Sequence, residues 1–506
     1  MKFNRIISFA LCAMAAWSSA VADGPFRAHR YDSFQATPTE PGQILFAGNS
    51  ITNMHSWFEA FGSHQEVIGR GNSGGFAYEL LDNLESYISA KPAKMFVMIG
   101  TNDVSSGVSA ELTSRRIQAI ITRVRLESPE TELYIESILP RSANPKVDYE
   151  NCNTLTKNYI AQLNDPKVHF VNLSQVCAPL NGNSTWTHDG LHPRPTGYAA
   201  WCHEIEGEVG YPTVYPATIT TQESCGLSLS GAARVEQFPY FPVSEGDVLI
   251  FGDEQIHGGE WHELLRSNKI KDRGQGWGWG GMNLVQAKAV VASALKDQAV
   301  KPAKIFLSYG IGGTDATNYR AIVDEAKKQA PDAKIYLVSL TPSANTTTDA
   351  GRVSFNTTLQ TIATEKGATY VDIYTPLKAD LSKNIMHTNY VSGRGYVVMA
   401  NKFAEYLAEE GVDPVSLDEY EAVYTNRARR NIIGKALTRV LVDVNYGTLP
   451  GQTNPEYKDQ IEAKFNELVT LVNKEGLTDA EANAGVAGLN DIINKAFNMP
   501  AISNDT

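Results

Sequence analysis

The chain has 506 residues, 44 Lys+Arg, 56 Asp+Glu and a formal net charge of −12. Apolar residues make up 42% and charged residues 20%, which excludes a mostly disordered, collagenous or coiled-coil chain and leaves room for about three globular domains. The acidic balance and the lack of a long Lys/Arg run exclude a nucleic-acid-binding surface as the main feature. The basic group Arg427, Arg429 and Arg430 reads as a solvated helix face.

The chain opens as a targeting segment. Lys2 and Arg5 precede an apolar run from Ile6 to Trp17, too short to span a bilayer. Ala20-Val21-Ala22 fits a small-x-small cleavage signal. Residues 1–22 are therefore expected to be a signal peptide, with a secreted or periplasmic mature chain that begins at Asp23. Later segments never reach 18 consecutive apolar residues, so no membrane span is expected. Cys152, Cys177, Cys202 and Cys225 remain after cleavage, an even number in an oxidising compartment. The preferred pairing is Cys152 with Cys177 and Cys202 with Cys225. Four buried free thiols are the alternative.

An internal repeat organises the rest. Arg30, Phe34, Pro38, Gly42 and Gly48 align without a gap on Arg234, Phe238, Pro242, Gly246 and Gly252. The run KPAKMFVMIG ending at Gly100 matches KPAKIFLSYG ending at Gly310, and Gly197-Tyr198 matches Gly395-Tyr396. Each copy alternates short Val/Ile/Phe-rich runs, such as 44–47, 94–99, 133–138 and 169–173, with longer segments of helical period, such as Ser109–Leu126. That alternation predicts an α/β fold with a buried parallel sheet and helices on both faces. The expected domains are 23–227, 228–412 and a helical tail or spacer at 413–506, with helices over 417–442, 455–473 and 479–497.

Active sites of parallel sheets lie at the carboxyl ends of the strands. The first strand of copy one runs into Gly48-Asn49-Ser50. The second is expected over 66–68, ahead of a glycine block from Gly69 to Gly75. The third ends in Gly100-Thr101-Asn102-Asp103, and Asp189-Gly190-Leu191-His192-Pro193 precedes the last helix. Ester hydrolysis needs a nucleophile, a base, a group that orients the base, and donors for an oxyanion. Ser50 suits the first role, His192 the second and Asp189 the third. The Ser50 N–H, the Gly74 N–H and the Asn102 side-chain amide suit the oxyanion hole. Ser50 as a plain N-cap and Asn102 as a capping residue are the structural alternatives. No cluster has metal-ligand spacing, so neither a metal nor a cofactor is expected. Trp57 and Trp186 could stack on sugar, though packing is the commoner fate of tryptophan.

These four blocks resemble those of the SGNH, or GDSL-type, hydrolases, whose consensus is GDS, a glycine block, GxND and DxxH. The resemblance covers copy one and implies a flavodoxin-like three-layer α/β/α fold. It also implies activity on esters of sugars, lysophospholipids or thiols. Asn49 departs from the consensus Asp. The second copy has Glu254 for Ser50, Gly312 for Asn102, His387 for Asp189 and Tyr390 for His192, so it is expected to be catalytically silent. Its Trp277-Gly278-Trp279 run offers a possible aromatic platform, with packing as the alternative.

The resulting expectation is a serine carboxylic-ester hydrolase that removes acetyl groups from carbohydrate, such as sialic acid or polysaccharide O-acetyl esters. Its expected partners are acylated carbohydrate or small esters, with a possible link to glycan-degrading modules. A lysophospholipase-like or short-chain lipid esterase, and a non-catalytic glycan-binding protein, are the competing readings.

Overall fold

The structure, a computed structural model, describes residues 24–37, 40–143, 148–227, 229–276 and 282–497. The proposed signal segment with its Ala22 cleavage site, and Trp277 and Trp279, lie outside these residues.

Two sheets of five parallel strands form the two lobes. The first contains β1 (Ile44–Gly48), β2 (Val67–Gly71), β3 (Lys94–Met98), β4 (Glu132–Glu136) and β5 (Val168–Val171), ordered β2-β1-β3-β4-β5. The second contains β6 (Val248–Gly252), β7 (Ile270–Gly274), β8 (Lys304–Ser308), β9 (Lys334–Val338) and β10 (Thr369–Val371). Its order, read from the β7 edge, is the same. The central β1 and β6 are buried at every residue, as their unbroken apolar runs require. Helices flank both sheets, as the strand–helix alternation predicts. Ala110–Glu127 is typical: the Ser109 hydroxyl caps it by accepting from Leu112 N, and Ile117, Ile120, Ile121 and Val124 form its buried stripe.

The second strand corrects the sequence reading. It spans Val67–Gly71, because Gly69, Arg70 and Gly71 pair with Phe46, Ala47 and Gly48. The loop therefore starts at Asn72.

The lobes meet face to face through exchanged contacts. Arg70 on β2 makes two 2.6 Å bonds to Glu263. Arg273 on β7 bonds Glu59, reversing the arrangement. Asn53 meets its counterpart His257 at 3.3 Å, and Phe58 stacks on its counterpart His262 with ring centroids 4.0 Å apart. Such i-to-j and j-to-i exchange marks a two-fold-like interface within one chain. A single apolar cluster runs across it, from Phe46 and Trp57 through Tyr215, Phe238 and Phe241 to Leu249 and Phe251.

The C-terminal helices are Leu417–Asp443, Lys458–Val472 and Asp479–Ala496, which pack together around Leu437, Ile461, Leu468 and Leu489. The first is more than a spacer. Arg427, expected on a solvated face, is 2% exposed and bonds the carbonyls of Phe34, Gln35 and Thr37. Those carbonyls belong to the last turn of the Pro25–Ala36 helix and to the residue after it, where C=O groups lack helical partners, so a buried guanidinium satisfies them. The charge is costly there: burial, reinforced by Arg70, lowers its pKa to about 9.

All four described cysteines are free thiols, three of them buried, so the expected Cys152–Cys177 and Cys202–Cys225 bridges are not formed. Cys152 packs in a different apolar cluster from Cys177 and Cys202.

Candidate active site

The loops at the carboxyl ends of the first sheet bring the sequence candidates together. β1 ends at Gly48, and Asn49 caps the next turn with its side-chain oxygen accepting from Ile51 N at 3.0 Å. That turn aims the Ser50 hydroxyl at His192, with Oγ and Nε2 2.9 Å apart. His192 Nδ1 lies 2.6 Å from Asp189 Oδ2. With the ring proton on Nδ1 shared with the carboxylate, Nε2 is the acceptor for the serine proton.

Asp189 is held by its own turn. Its other oxygen accepts from Leu191 N at 3.0 Å, His192 N at 2.8 Å and the Thr187 hydroxyl at 3.2 Å. Burial raises the pKa of this carboxyl, but the bonds and charge of His192 and the two backbone donors outweigh it. The group stays well below the usual carboxylate range. The turn needs Gly190: φ is +75°, and a Cβ would lie 2.3 Å from Ser142 Oγ.

The glycine block closes the opposite side. A Cβ on Gly71 would lie 2.1 Å from Asn53 N, so only glycine lets β2 approach the Ser50 turn. Gly74 follows, with Arg27 against it. Asn102 donates one amide proton to Gly75 O at 2.9 Å, which ties the GTND loop to the glycine block. Its second amide proton is available to a ligand.

Several organisers were missed in the sequence. Asp103 is fully buried and accepts from Ala77 N at 3.0 Å and Arg116 at 2.6 Å, clamping the two loops together. It belongs to the GTND block, so its motif was a usable signal. The other group crosses the lobes. Glu236, 0% exposed, accepts from Arg194 at 3.0 Å through each oxygen and lies 2.9 Å from His188 Nε2. His188 and Arg194 bracket Asp189 and His192 in sequence. The aligned residue Asp32 accepts from Gly393 N in the second lobe at 2.6 Å. An acid in or just after each lobe's leading helix thus grips the start of the other lobe's last helix.

Trp57 is buried and stacked on Phe46 at 4.0 Å, so it is a core residue and not a sugar platform. His55 is also buried, stacked on Tyr198 and bonded to Gln237. Among the described residues, no three His, Cys, Asp or Glu side chains are arranged to hold a metal ion. No described helix is long and apolar enough to cross a membrane.

In the second lobe, Asp253 stands at the place of Asn49. It accepts from Gln255 N, Gly310 N and Ile311 N. Glu254 follows it where Ser50 stands in the first lobe, and no described side chain forms a serine–histidine pair there.

Residues 45–200 match the profile of the GDSL-like lipase/acylhydrolase family. Platelet-activating factor acetylhydrolase IB subunit alpha1 of Pongo abelii is 26% identical over 174 residues, which cover 32% of this chain and 73% of that protein. Among solved structures, a GDSL-like lipase from Bacteroides thetaiotaomicron is 24% identical with a TM-score of 0.29, covering 40% of this chain and 98% of that one. A carbohydrate esterase family 3 structure from Talaromyces cellulolyticus is 21% identical with a TM-score of 0.30, covering 33% and 96%.

Proposed function

We propose that this chain, whose residues 45–200 form a GDSL-like lipase/acylhydrolase domain, is a serine carboxylic-ester hydrolase that removes small acyl groups. One observation carries the reading: Ser50, His192 and Asp189 form a continuous hydrogen-bonded relay of 2.9 and 2.6 Å at the strand ends. Ser50 Oγ attacks the ester carbonyl while His192 Nε2 takes its proton. Asp189 stays ionised and stabilises the imidazolium. The carbonyl oxygen, now an anion, is met by the N–H groups of Ser50 and Gly74 and the free amide proton of Asn102. His192 returns the proton to the leaving alcohol. Water then enters by the same route and releases the acid and Ser50.

Acetyl is the favoured acyl group. The curated relative named above is an acetylhydrolase, and the loops beside Ser50 carry short or polar residues: Asn72, Ser73, Gly74 and Asn102. The same polar rim suits a hydroxylated acceptor, so an acetylated carbohydrate is the proposed substrate class. Export after cleavage near Ala22 would place the enzyme with such substrates. The test is turnover of a chromogenic acetyl ester. Ser50→Ala is expected to lower kcat by about 10³-fold or more while the protein stays folded. Wild-type turnover in a folded Ser50→Ala variant would overturn the reading, and faster cleavage of octanoyl than acetyl esters would favour a lipid esterase.

A further inference from the structure

The second lobe lacks the relay yet keeps a cavity in the corresponding place. It has a volume of about 250 Å³ and opens at the carboxyl ends of β6, β8 and β9. We propose that this cavity is a binding site for a single neutral sugar ring, held without turnover.

Four features of the lining support this. First, the Glu254 carboxyl sits where the serine stands in the first lobe, and its buried Oε1 has no partner among the described residues. A buried acceptor left without a donor is costly, and a ligand hydroxyl would satisfy it. Second, the polar groups around it are fixed. Arg352 donates to the carbonyls of Thr341 at 3.1 Å and Pro342 at 3.0 Å, and the Asn389 amide oxygen accepts from Ser343 Oγ at 2.8 Å.

Third, the Tyr390 ring borders the cavity beside His29, which the Pro25–Ala36 helix delivers, with ring centroids 5.0 Å apart. An aromatic face next to planar carboxyl, amide and guanidinium groups matches a ring with apolar faces and hydroxyl edges. The turn that presents Asn389 and Tyr390 holds Thr388 at φ +75°, an unfavourable setting for a β-branched residue. The Ala344 N–H pins it by donating to Thr388 O at 2.9 Å. Strain maintained in this way is common at ligand sites.

Fourth, the site carries little net charge. Burial, with the neighbouring Asp253, raises the Glu254 pKa to about 7. The Arg352 guanidinium is offset by the neighbouring Asp253 carboxyl. A phosphate or a strong cation would find no unbalanced charge, whereas neutral hydroxyls fit both groups.

The experiment is saturation-transfer NMR and calorimetry on the full chain with glucose, galactose, xylose and N-acetylglucosamine. At least one sugar is expected to bind the wild type. Its affinity should fall about tenfold or more in both Tyr390→Ala and Glu254→Ala and be unchanged in Ser50→Ala. Acetyl-ester turnover by the first two variants reports their folding independently, and if Tyr390→Ala does not fold, Glu254→Ala decides alone. Binding by none of the four sugars overturns the proposal. So does binding that survives Glu254→Ala or is lost in Ser50→Ala, since the latter places the sugar in the first lobe.

Discussion

Asn49 and Asp253 occupy the same turn with different charge. Each caps the next residue but one, yet burial lifts the Asp253 pKa to about 6 against three backbone donors. A carboxyl whose pKa is higher folded than unfolded loses stability as pH rises from about 4 to 6. Asn49→Asp should import that slope: the turn and the acetyl-ester kcat are retained, and stability falls by about 2 kcal/mol between pH 4 and pH 8 relative to wild type. Denaturant melts at the two pH values measure it, and parallel behaviour of variant and wild type would count against the assignment. Asp189 has the opposite sign. Its pKa is depressed, so it stays ionised and favours the fold above about pH 4, losing that contribution only below. The acid limb of the kcat/KM profile should therefore carry a one-proton slope, set by the proton that stops Nε2 from accepting from Ser50. A limb with a two-proton slope would show that Asp189 titrates with it. The relay residues were legible because both motifs are compact, GNS at the end of β1 and DGLHP just ahead of the last helix of the lobe. Asp103 was missed because its partners, Ala77 N and Arg116, lie on other elements.

Among the elements, the loop carrying Asp189 and His192 is gripped from outside its own lobe. Glu236 holds His188 on one side of the pair and Arg194 on the other. Removing a buried acceptor from two donors frees the loop and strands Arg194. Glu236→Ala is expected to lower kcat by about 10–100-fold with a smaller change in KM, and to move the acid limb, because it is the His192–Asp189 geometry that relaxes. Glu236→Gln, which keeps an acceptor, should recover most of the loss. A purely structural role would lower the melting point and leave kcat and the pH profile of the folded fraction intact. Nothing in the sequence marks Glu236 for this, since ion pairs between distant segments leave no periodic trace. The extension of β2 through Gly71 escaped for a related reason: glycines read as loop, but pairing with β1 across a close approach needs them. Arg427 looked solvated because its charge was visible and the three carbonyls it satisfies were not.

At the scale of the molecule, the second lobe is part of the first lobe's support. Arg70–Glu263, Arg273–Glu59, the Glu236 clamp and the apolar cluster through Phe238 and Phe241 all cross the boundary. Residues 23–227 alone would expose that cluster and lose both ion pairs and the clamp. This fragment is expected to melt at least about 10 °C below the full chain and to turn over acetyl esters more slowly. Equal melting point and equal kcat would show that the interface contributes nothing to the site. The α/β architecture followed from the alternating pattern and the resemblance. The two-fold-like exchange did not, because reciprocal contacts depend on how the copies face each other.

The claim on which the rest depends is that Ser50 is the acylated nucleophile. Mass spectrometry after treatment with a serine-directed fluorophosphonate tests it most directly. One adduct per chain is predicted, on the peptide containing Ser50, forming as acetyl-ester turnover disappears and absent from Ser50→Ala and strongly slowed in His192→Ala. An adduct on another residue that tracks the loss of activity, or full activity in a chain labelled at Ser50, would contradict the account.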